Sequence, residues 1–430
     1  MRYFDGVMRK KLKEIGTFFG RRIKRDEVVV HASFDSRNVQ KGTLFFALSG
    51  ETVDGHNYLE EVAKKGAIAA VVSSDYQGGD FGLVLMPVPD VKRALQDLAQ
   101  EVFREKSPLV IGVTGTVGKT TTKEFLATIL AEKFRVMKSP GSLNSQVGLP
   151  LTVLNWEGQE EIFVLEMGMS EKGEVSRLVE IAPPHLGVLT KVSLAHSAFF
   201  SGIEEIAEAK CELFESKKIE RGFFHLETKE FQAVRLLNVA KTWFDCNDPK
   251  ADVTLNEVTA PFEERHLQEN FLAAASVAIH LGMSQEEIEE GAKKLSPFDH
   301  RFQKVKKGAA LFVDDSYNAS PIAMKAALSS LPEGKRRIGF LGAMKELGAF
   351  EASSHREVAE HALPLLDHLI CIGEECGPMV EVFEKGGKPV EYFKEKEGAV
   401  KRLKEVVSEG DVVLLKGSNS FKLWTTLEEF

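Results

Sequence analysis

Between Leu109 and Glu124 the chain reads Leu-Val-Ile-Gly-Val-Thr-Gly-Thr-Val-Gly-Lys-Thr-Thr-Thr-Lys-Glu: an apolar strand, a glycine turn and the opening of a helix. Such a turn aims free backbone N–H groups and the positive end of a helix dipole at one point, and the ligand that suits it is a phosphate. The long spacing G-x-x-x-x-G-K-[ST] is absent, because the residue five before Gly118 is Val113. A shorter form, Thr114-Gly-Thr-Val-Gly-Lys-Thr120, stands in its place. Gly115, Thr116, Gly118, Lys119, Thr120 and Thr121 form the candidate cradle. Lys119 would neutralise β- and γ-phosphate charge, and the Thr120 hydroxyl would hold Mg²⁺.

Two other side chains stand out by type and position. The segment Glu161-Ile-Phe-Val-Leu-Glu-Met-Gly168 reads as a strand, and Glu166 lies at its carboxyl end, where parallel sheets gather ligands. Mg²⁺ takes oxygen ligands, so Glu166 is the first carboxylate candidate; a solvated strand end is the plain alternative. In the helix expected from Ile203 to Phe214, apolar residues at 203, 206, 207, 213 and 214 put Lys210 on the inward stripe. Burial favours a neutral amine, which can react with CO₂ to give a carbamate and hence an oxygen ligand for a metal. A lysine that snorkels to the surface does none of this. Asn270 opens the expected helix Asn270-Phe-Leu-Ala-Ala-Ala, where asparagine is by default an N-cap.

The elements that must position these groups fall into three stretches. Residues 1–107 read as a small α/β unit. Its basic amphipathic N-terminal helix carries Phe4, Val7, Met8, Leu12, Ile15 and Phe18 or Phe19 at helical spacing. Short strands at Val28–Val30, Thr43–Leu48 and Ala67–Val72 follow, with a helix from Tyr58 to Lys65. Residues 108–296 hold the phosphate loop and a mainly parallel sheet. After a linker at Asp299-His-Arg-Phe-Gln303, strands at 311–313, 338–341, 369–372 and 412–415 alternate with helices such as His355–Leu366. That alternation predicts a parallel Rossmann-like layer over 297–430, although no G-x-G-x-x-G accompanies it and dinucleotide binding is not supported. The expected fold is thus α/β in three domains.

Hydrophobic residues at 43% and charged ones at 28% describe a soluble globular protein. At 430 residues the chain exceeds one ordinary core. A net charge of −9 argues against a basic nucleic-acid surface and leaves room for a local basic cleft that takes a polyanionic small molecule. The cysteines, Cys211, Cys246, Cys371 and Cys376, form no CxxC pair and read as reduced thiols. No apolar run reaches the ~20 residues of a membrane helix, and the expected location is the cytoplasm.

Several motifs together resemble one family. Asp35-Ser-Arg37, Gly42-Thr-Leu-Phe-Phe-Ala-Leu48, Gly50-Glu51 and Asp54-Gly-His56 are similar to the N-terminal domain of the Mur ligases, which holds the uridine diphosphate end of a muramoyl-peptide nucleotide. The shortened phosphate loop resembles the one Mur ligases share with folylpolyglutamate synthases. By the resemblance Ser36 and Arg37 grip the nucleotide substrate, Arg37 through its planar fork. Asn144, in Ser139-Pro-Gly-Ser-Leu-Asn-Ser-Gln-Val-Gly-Leu-Pro150, is what remains of the family's asparagine loop. His196 and Lys210 match its histidine and its carbamylated lysine, which bind a second Mg²⁺. Asn270 matches the asparagine that meets adenine, and Arg301 the linker arginine that meets ATP.

Asp314-Asp-Ser-Tyr-Asn-Ala-Ser-Pro321, Gly342-Ala-Met-Lys-Glu-Leu-Gly348 and Leu415-Lys-Gly-Ser418 resemble the members that join D-alanyl-D-alanine to UDP-N-acetylmuramoyl-tripeptide. They put Asp315, Tyr317 and Asn318 at the ATP or substrate edge. What the resemblance implies is ATP-dependent peptide-bond formation through an acyl phosphate, in peptidoglycan precursor synthesis. ATP and two Mg²⁺ ions would serve a monomer. Departures are Lys191 for asparagine, Ala198 for glutamate, Ser142 in the asparagine loop, His300 for glycine and Ala343 for aspartate. The rival readings are a ligase adding a diamino acid to the dipeptide nucleotide and a nucleotide-binding protein without turnover.

Overall fold

The run Leu109–Thr114 is buried along almost its whole length, and a six-stranded sheet forms around it. The computed structural model of the protein describes residues 10–50, 53–105, 108–141, 143–156, 158–194 and 200–430. In spatial order this central sheet runs Ala240–Phe244, Arg221–His225, Leu186–Leu189, Leu109–Thr114, Ile162–Glu166 and Val136–Lys138, all parallel. Later strands flank Leu109–Thr114 on both sides, so the chain leaves it at a topological switch point, where the loops of neighbouring strands diverge and leave a crevice. Patterning did not single out the strands Arg221–His225 and Ala240–Phe244. They extend the sheet beyond Leu186–Leu189.

A first sheet lies within residues 31–88, with His31–Ser33, Thr43–Phe46, Ala69–Ser73 and Val84–Val88 in that order and all parallel. Beside it, Lys10–Lys11 and Val28–Val29 make a short antiparallel ribbon. Part of the expected N-terminal helix, with Phe4, Val7 and Met8, lies outside the described residues. The observed helix is Leu12–Phe18, with Leu12 and Ile15 buried and Phe18 exposed; Phe19 packs on the core instead.

The third sheet lies within residues 303–416, in the order Gln303–Lys307, Ala310–Asp314, Val412–Lys416, Arg337–Gly342, His368–Ile372 and Val390–Phe393. Only Gln303–Lys307 is antiparallel, so the Rossmann-like layer carries one added edge strand. Among the described residues no helix is long and apolar enough to cross a membrane, and all four cysteines are free and buried.

The first and central sheets share one apolar core. The helix Val91–Arg104 buries Leu95, Leu98, Val102 and Phe103 between Phe46 and Met86 on one side and Leu149 and Phe163 on the other. One polar side chain seals the seam. His31–Ser33 is an edge strand, and Asn155 covers it: Ala32 N–H donates to Asn155 Oδ1 at 2.8 Å, and Asn155 Nδ2 donates to Ala32 O at 2.9 Å. An edge strand buried without such partners would leave unpaired backbone groups. Asn155→Ala strands both, each at roughly 1–3 kcal/mol, so stability should fall by about 2–6 kcal/mol. Urea unfolding measures it, and a midpoint equal to wild type would contradict the role given to Asn155.

Candidate active site

The phosphate loop is forced to be glycine by what surrounds it. Gly115 has φ +146°, and a Cβ there would stand 1.9 Å from Thr190 Oγ1. Gly118 has φ +85°, and a Cβ there would stand 2.3 Å from Asn270 Oδ1. Both are conformations that side chains resist, in places with no room for one. The segment after strand Leu186–Leu189 straps the loop from one side: Thr116 N–H donates to Lys191 O at 2.7 Å, and Thr190 Oγ1 donates to Val117 O at 2.6 Å.

On the other side lies the helix Arg265–His280. Asn270 sits inside this helix, not at its start, so the N-cap reading is wrong. The helix begins five residues earlier because Arg265-His-Leu-Gln-Glu has no breaker. Asn270 Oδ1 instead accepts from Thr122 Oγ1 at 3.3 Å and faces Gly118.

Lys119 opens the helix Lys119–Leu130. It is only partly buried as a residue, but its ammonium turns inward, donating to Gly115 O at 2.9 Å and Thr116 O at 3.3 Å. Burial lowers its pKa; Glu166 opposes the shift and Arg301 adds to it. Lys210 is buried, 4% exposed, and donates to the same Gly115 O at 3.0 Å. Snorkelling is therefore excluded. Two ammonium groups on one carbonyl repel, and burial together with Lys119 pushes the Lys210 pKa well below the ordinary lysine range. The helix around it is Ile203–Cys211, continued by a 3₁₀ turn to Glu215. His196 and Ala198 lie outside the described residues, as does Ser142.

Thr120 Oγ1 donates to Glu166 Oε2 at 2.9 Å, and Asn144 Nδ2 donates to Glu166 Oε1 at 2.6 Å. Glu166 is 1% exposed, so the solvated strand end is excluded as well. Mg²⁺ with oxygen ligands at about 2.0–2.1 Å needs cis oxygens about 2.9 Å apart. The Thr120 and Glu166 oxygens meet that spacing and the hard-oxygen preference. Among the described residues no group of three or more His, Cys, Asp or Glu side chains is placed to hold a metal alone. The remaining ligands would come from phosphate and water.

The C-terminal sheet completes the cavity, about 610 Å³, by turning the carboxyl ends of its strands toward the loop. Arg301 Nη2 donates to Thr120 Oγ1 at 3.3 Å, and its guanidinium lies over the Tyr317 ring, 4.0 Å from the centroid. Asp315 braces the linker: Oδ1 accepts from Phe302 N–H at 3.1 Å and Oδ2 accepts from Lys416 Nζ at 2.5 Å. Asn318 is exposed on the rim. His300 has φ +60°, which explains why glycine suits that position; here Asp314 Oδ2, 2.7 Å from Nδ1, and stacking on Trp424 hold it.

Of the expected residues, Thr116, Gly118, Lys119, Thr120, Thr121, Asn144, Glu166, Asn270, Arg301, Asp315, Tyr317 and Asn318 line this one cavity, with Gly115 and Lys210 beneath it. Ser36 and Arg37 do not. They lie on the first sheet's loop, where Arg37, 85% exposed in its side chain, forms a bidentate pair with Asp35. Sequence reasoning missed the buried Lys123, whose ammonium donates to Ser139 O at 2.7 Å and so fixes the loop that carries Asn144. Its signal was present: it lies one helical turn after Lys119. Also missed was a charged group of Lys191, Glu269 and His225 on the cavity wall.

Comparison with known proteins agrees with this geometry. The model of the Mur ligase family, catalytic domain, matches residues 29–103; that of the Mur ligase middle domain matches 113–268; and that of the Mur ligase, glutamate ligase domain, matches 300–419. The UDP-N-acetylmuramoyl-tripeptide--D-alanyl-D-alanine ligase of Bacillus subtilis is 31% identical over 424 residues, covering 93% of this chain and 92% of its own. The ligase of that name from Treponema pallidum is 32% identical, covering 91% of each. The crystal structure of MurF ligase from Thermotoga maritima in complex with ADP has a TM-score of 0.77 at 29% identity, covering 94% of this chain and 97% of that one. By domain order, by identity over nearly the whole length and by fold, the chain belongs to the Mur ligase family.

Proposed function

We propose that this chain forms the amide bond between UDP-N-acetylmuramoyl-tripeptide and D-alanyl-D-alanine, converting ATP to ADP and phosphate, in the cytoplasm. The observation that carries the reading is the Thr120–Glu166 oxygen pair beside Lys119, in a cavity closed by Arg301 and Tyr317 from the third sheet. Three bodies, 1–107, 108–296 and 297–430, then divide the work: the first holds the uridine end through Ser36 and Arg37, the second ATP, the third the dipeptide.

A free carboxylate resists attack because it is anionic and has a poor leaving group. Transfer of the γ-phosphoryl group to a carboxylate oxygen gives an acyl phosphate and ADP. The dipeptide amine then adds to the carbonyl carbon and phosphate departs, leaving the amide. Lys119 meets the polyphosphate as a cation in a water-poor site, where charge counts most. Thr120 and Glu166 would hold Mg²⁺, which supplies further charge neutralisation when bound. Asn144 fixes the Glu166 carboxylate, and Asn270 packs against Gly118. Burial and Lys119 lower the Lys210 pKa and so favour the free amine, which adds to CO₂ through its nitrogen and gives up one proton to water. The resulting carbamate would be an anion beside Lys119 and, with His196, would hold a second Mg²⁺.

Phosphate release should require ATP, UDP-N-acetylmuramoyl-tripeptide and D-alanyl-D-alanine together. Release with the dipeptide nucleotide and a diamino acid, but not with this pair, would replace the reading by the rival ligase. No release with either pair would leave the non-catalytic one.

Lys119→Ala should lower kcat by about 10²–10³-fold or more while circular dichroism stays that of wild type. Ligation at near wild-type rate would remove the loop from the mechanism.

Supplied with ¹³C-bicarbonate, the wild-type chain should show a carbamate carbon resonance that Lys210→Arg lacks, and that variant should ligate about 10²-fold more slowly. Identical spectra would sink the carbamate.

A further inference from the structure

The charged group on the cavity wall has no part in the mechanism above. Lys191 is tied by its backbone to the phosphate loop, through the Thr116 N–H bond to its carbonyl and an antiparallel bridge to Val117. Its side chain crosses to the helix Arg265–His280, where Nζ lies 2.9 Å from Glu269 Oε1 and 2.8 Å from Oε2. Glu227 Oε2 is 3.5 Å away. Glu269 is 6% exposed and also accepts from Arg265 Nε at 3.0 Å.

Beside this pair lies an unspent donor. His225 is 1% exposed, and its Nδ1 accepts the Glu227 N–H at 3.2 Å, so the ring proton is on Nε2. That N–H has no hydrogen-bond partner. Glu269 Oε1 is 3.6 Å from it and Asp245 Oδ2 is 3.9 Å from it, both just beyond bonding distance. A buried donor left short of an acceptor is unfavourable, and a small carboxylate movement would satisfy it.

We propose that Lys191 is an exchangeable phosphate-binding residue. When a nucleoside polyphosphate enters, its ammonium leaves Glu269 for a phosphate oxygen, and Glu269 closes onto His225 Nε2–H. The exchange strands no charge: Glu269 keeps Arg265 and gains His225, while Lys191 trades a carboxylate for a more highly charged anion. A neutral residue at 191 has no such option. The inference rests on the nucleotide reading above.

Calorimetric titration of the full chain with ADP tests it, joined to thermal unfolding and to long-range ¹H–¹⁵N spectra of the histidines. Lys191→Met should weaken ADP binding about tenfold or more, with Lys191→Arg restoring most of it. In wild type ADP should shift the His225 Nε2 proton downfield, and in Lys191→Met it should not. Unchanged ADP affinity in Lys191→Met overturns the proposal. So does a loss that Lys191→Arg fails to restore and that comes with a lowered Tm, since that marks a purely structural role. No ADP binding by wild type would overturn the nucleotide reading and the proposal with it.

Discussion

The absence of two Cβ atoms governs the centre of this molecule. Gly115 and Gly118 let the phosphate loop pass between Thr190 on one side and Asn270 on the other, with contacts that any larger residue would break. Because the loop is pressed from both sides, its carbonyls and N–H groups have fixed directions. Lys119, Lys210 and the Thr190–Lys191 strap all bond to that fixed backbone. Remove the tight approach and each of these groups loses its reference point.

Inward-turned lysines are the second theme, and two of them are answered locally. Lys123 spends its charge on carbonyls of the loop after Val136–Lys138 and on Glu124. Lys191 spends its charge on Glu269. Lys119 and Lys210 differ, since they share the Gly115 carbonyl oxygen and, among the described residues, neither forms an ion pair. Lys119 at the start of its helix, with Arg301 near it, favours an anionic ligand at this point. A carbamate on Lys210 would place an anion beside Lys119.

Rigidity is distributed unevenly. The first and central sheets are joined by an apolar core running through Leu95, Leu98 and Phe103, which resists sliding. The third sheet has its own cores and meets the rest through polar contacts: Lys304 with Glu264 at 2.5 Å, His266 with Ser330 Oγ at 3.2 Å and Arg301 with Thr120. Polar interfaces of this kind exchange with water at little cost. The active-site cavity lies along that seam, with residues of the central and third sheets on its walls.

By itself the sequence determined the phosphate loop, the Glu166 strand end, the inward Lys210 and the three α/β stretches, because each is encoded by near neighbours. Glycine spacing sets a turn, a run of apolar residues sets a strand, and helical periodicity sets an inward face. Arg301 and Tyr317 were legible only through motif resemblance. Tertiary structure alone decided the rest. Asn270 looked like a cap because the sequence shows no Gly118 beside it, and Lys191 looked like a bare substitution because Glu269 lies far along the chain. His225, in a strand that patterning passed over, gave no sign of its unpaired nitrogen. Pairings of that kind arise where separate strands and helices meet, and local sequence carries no record of which ones will.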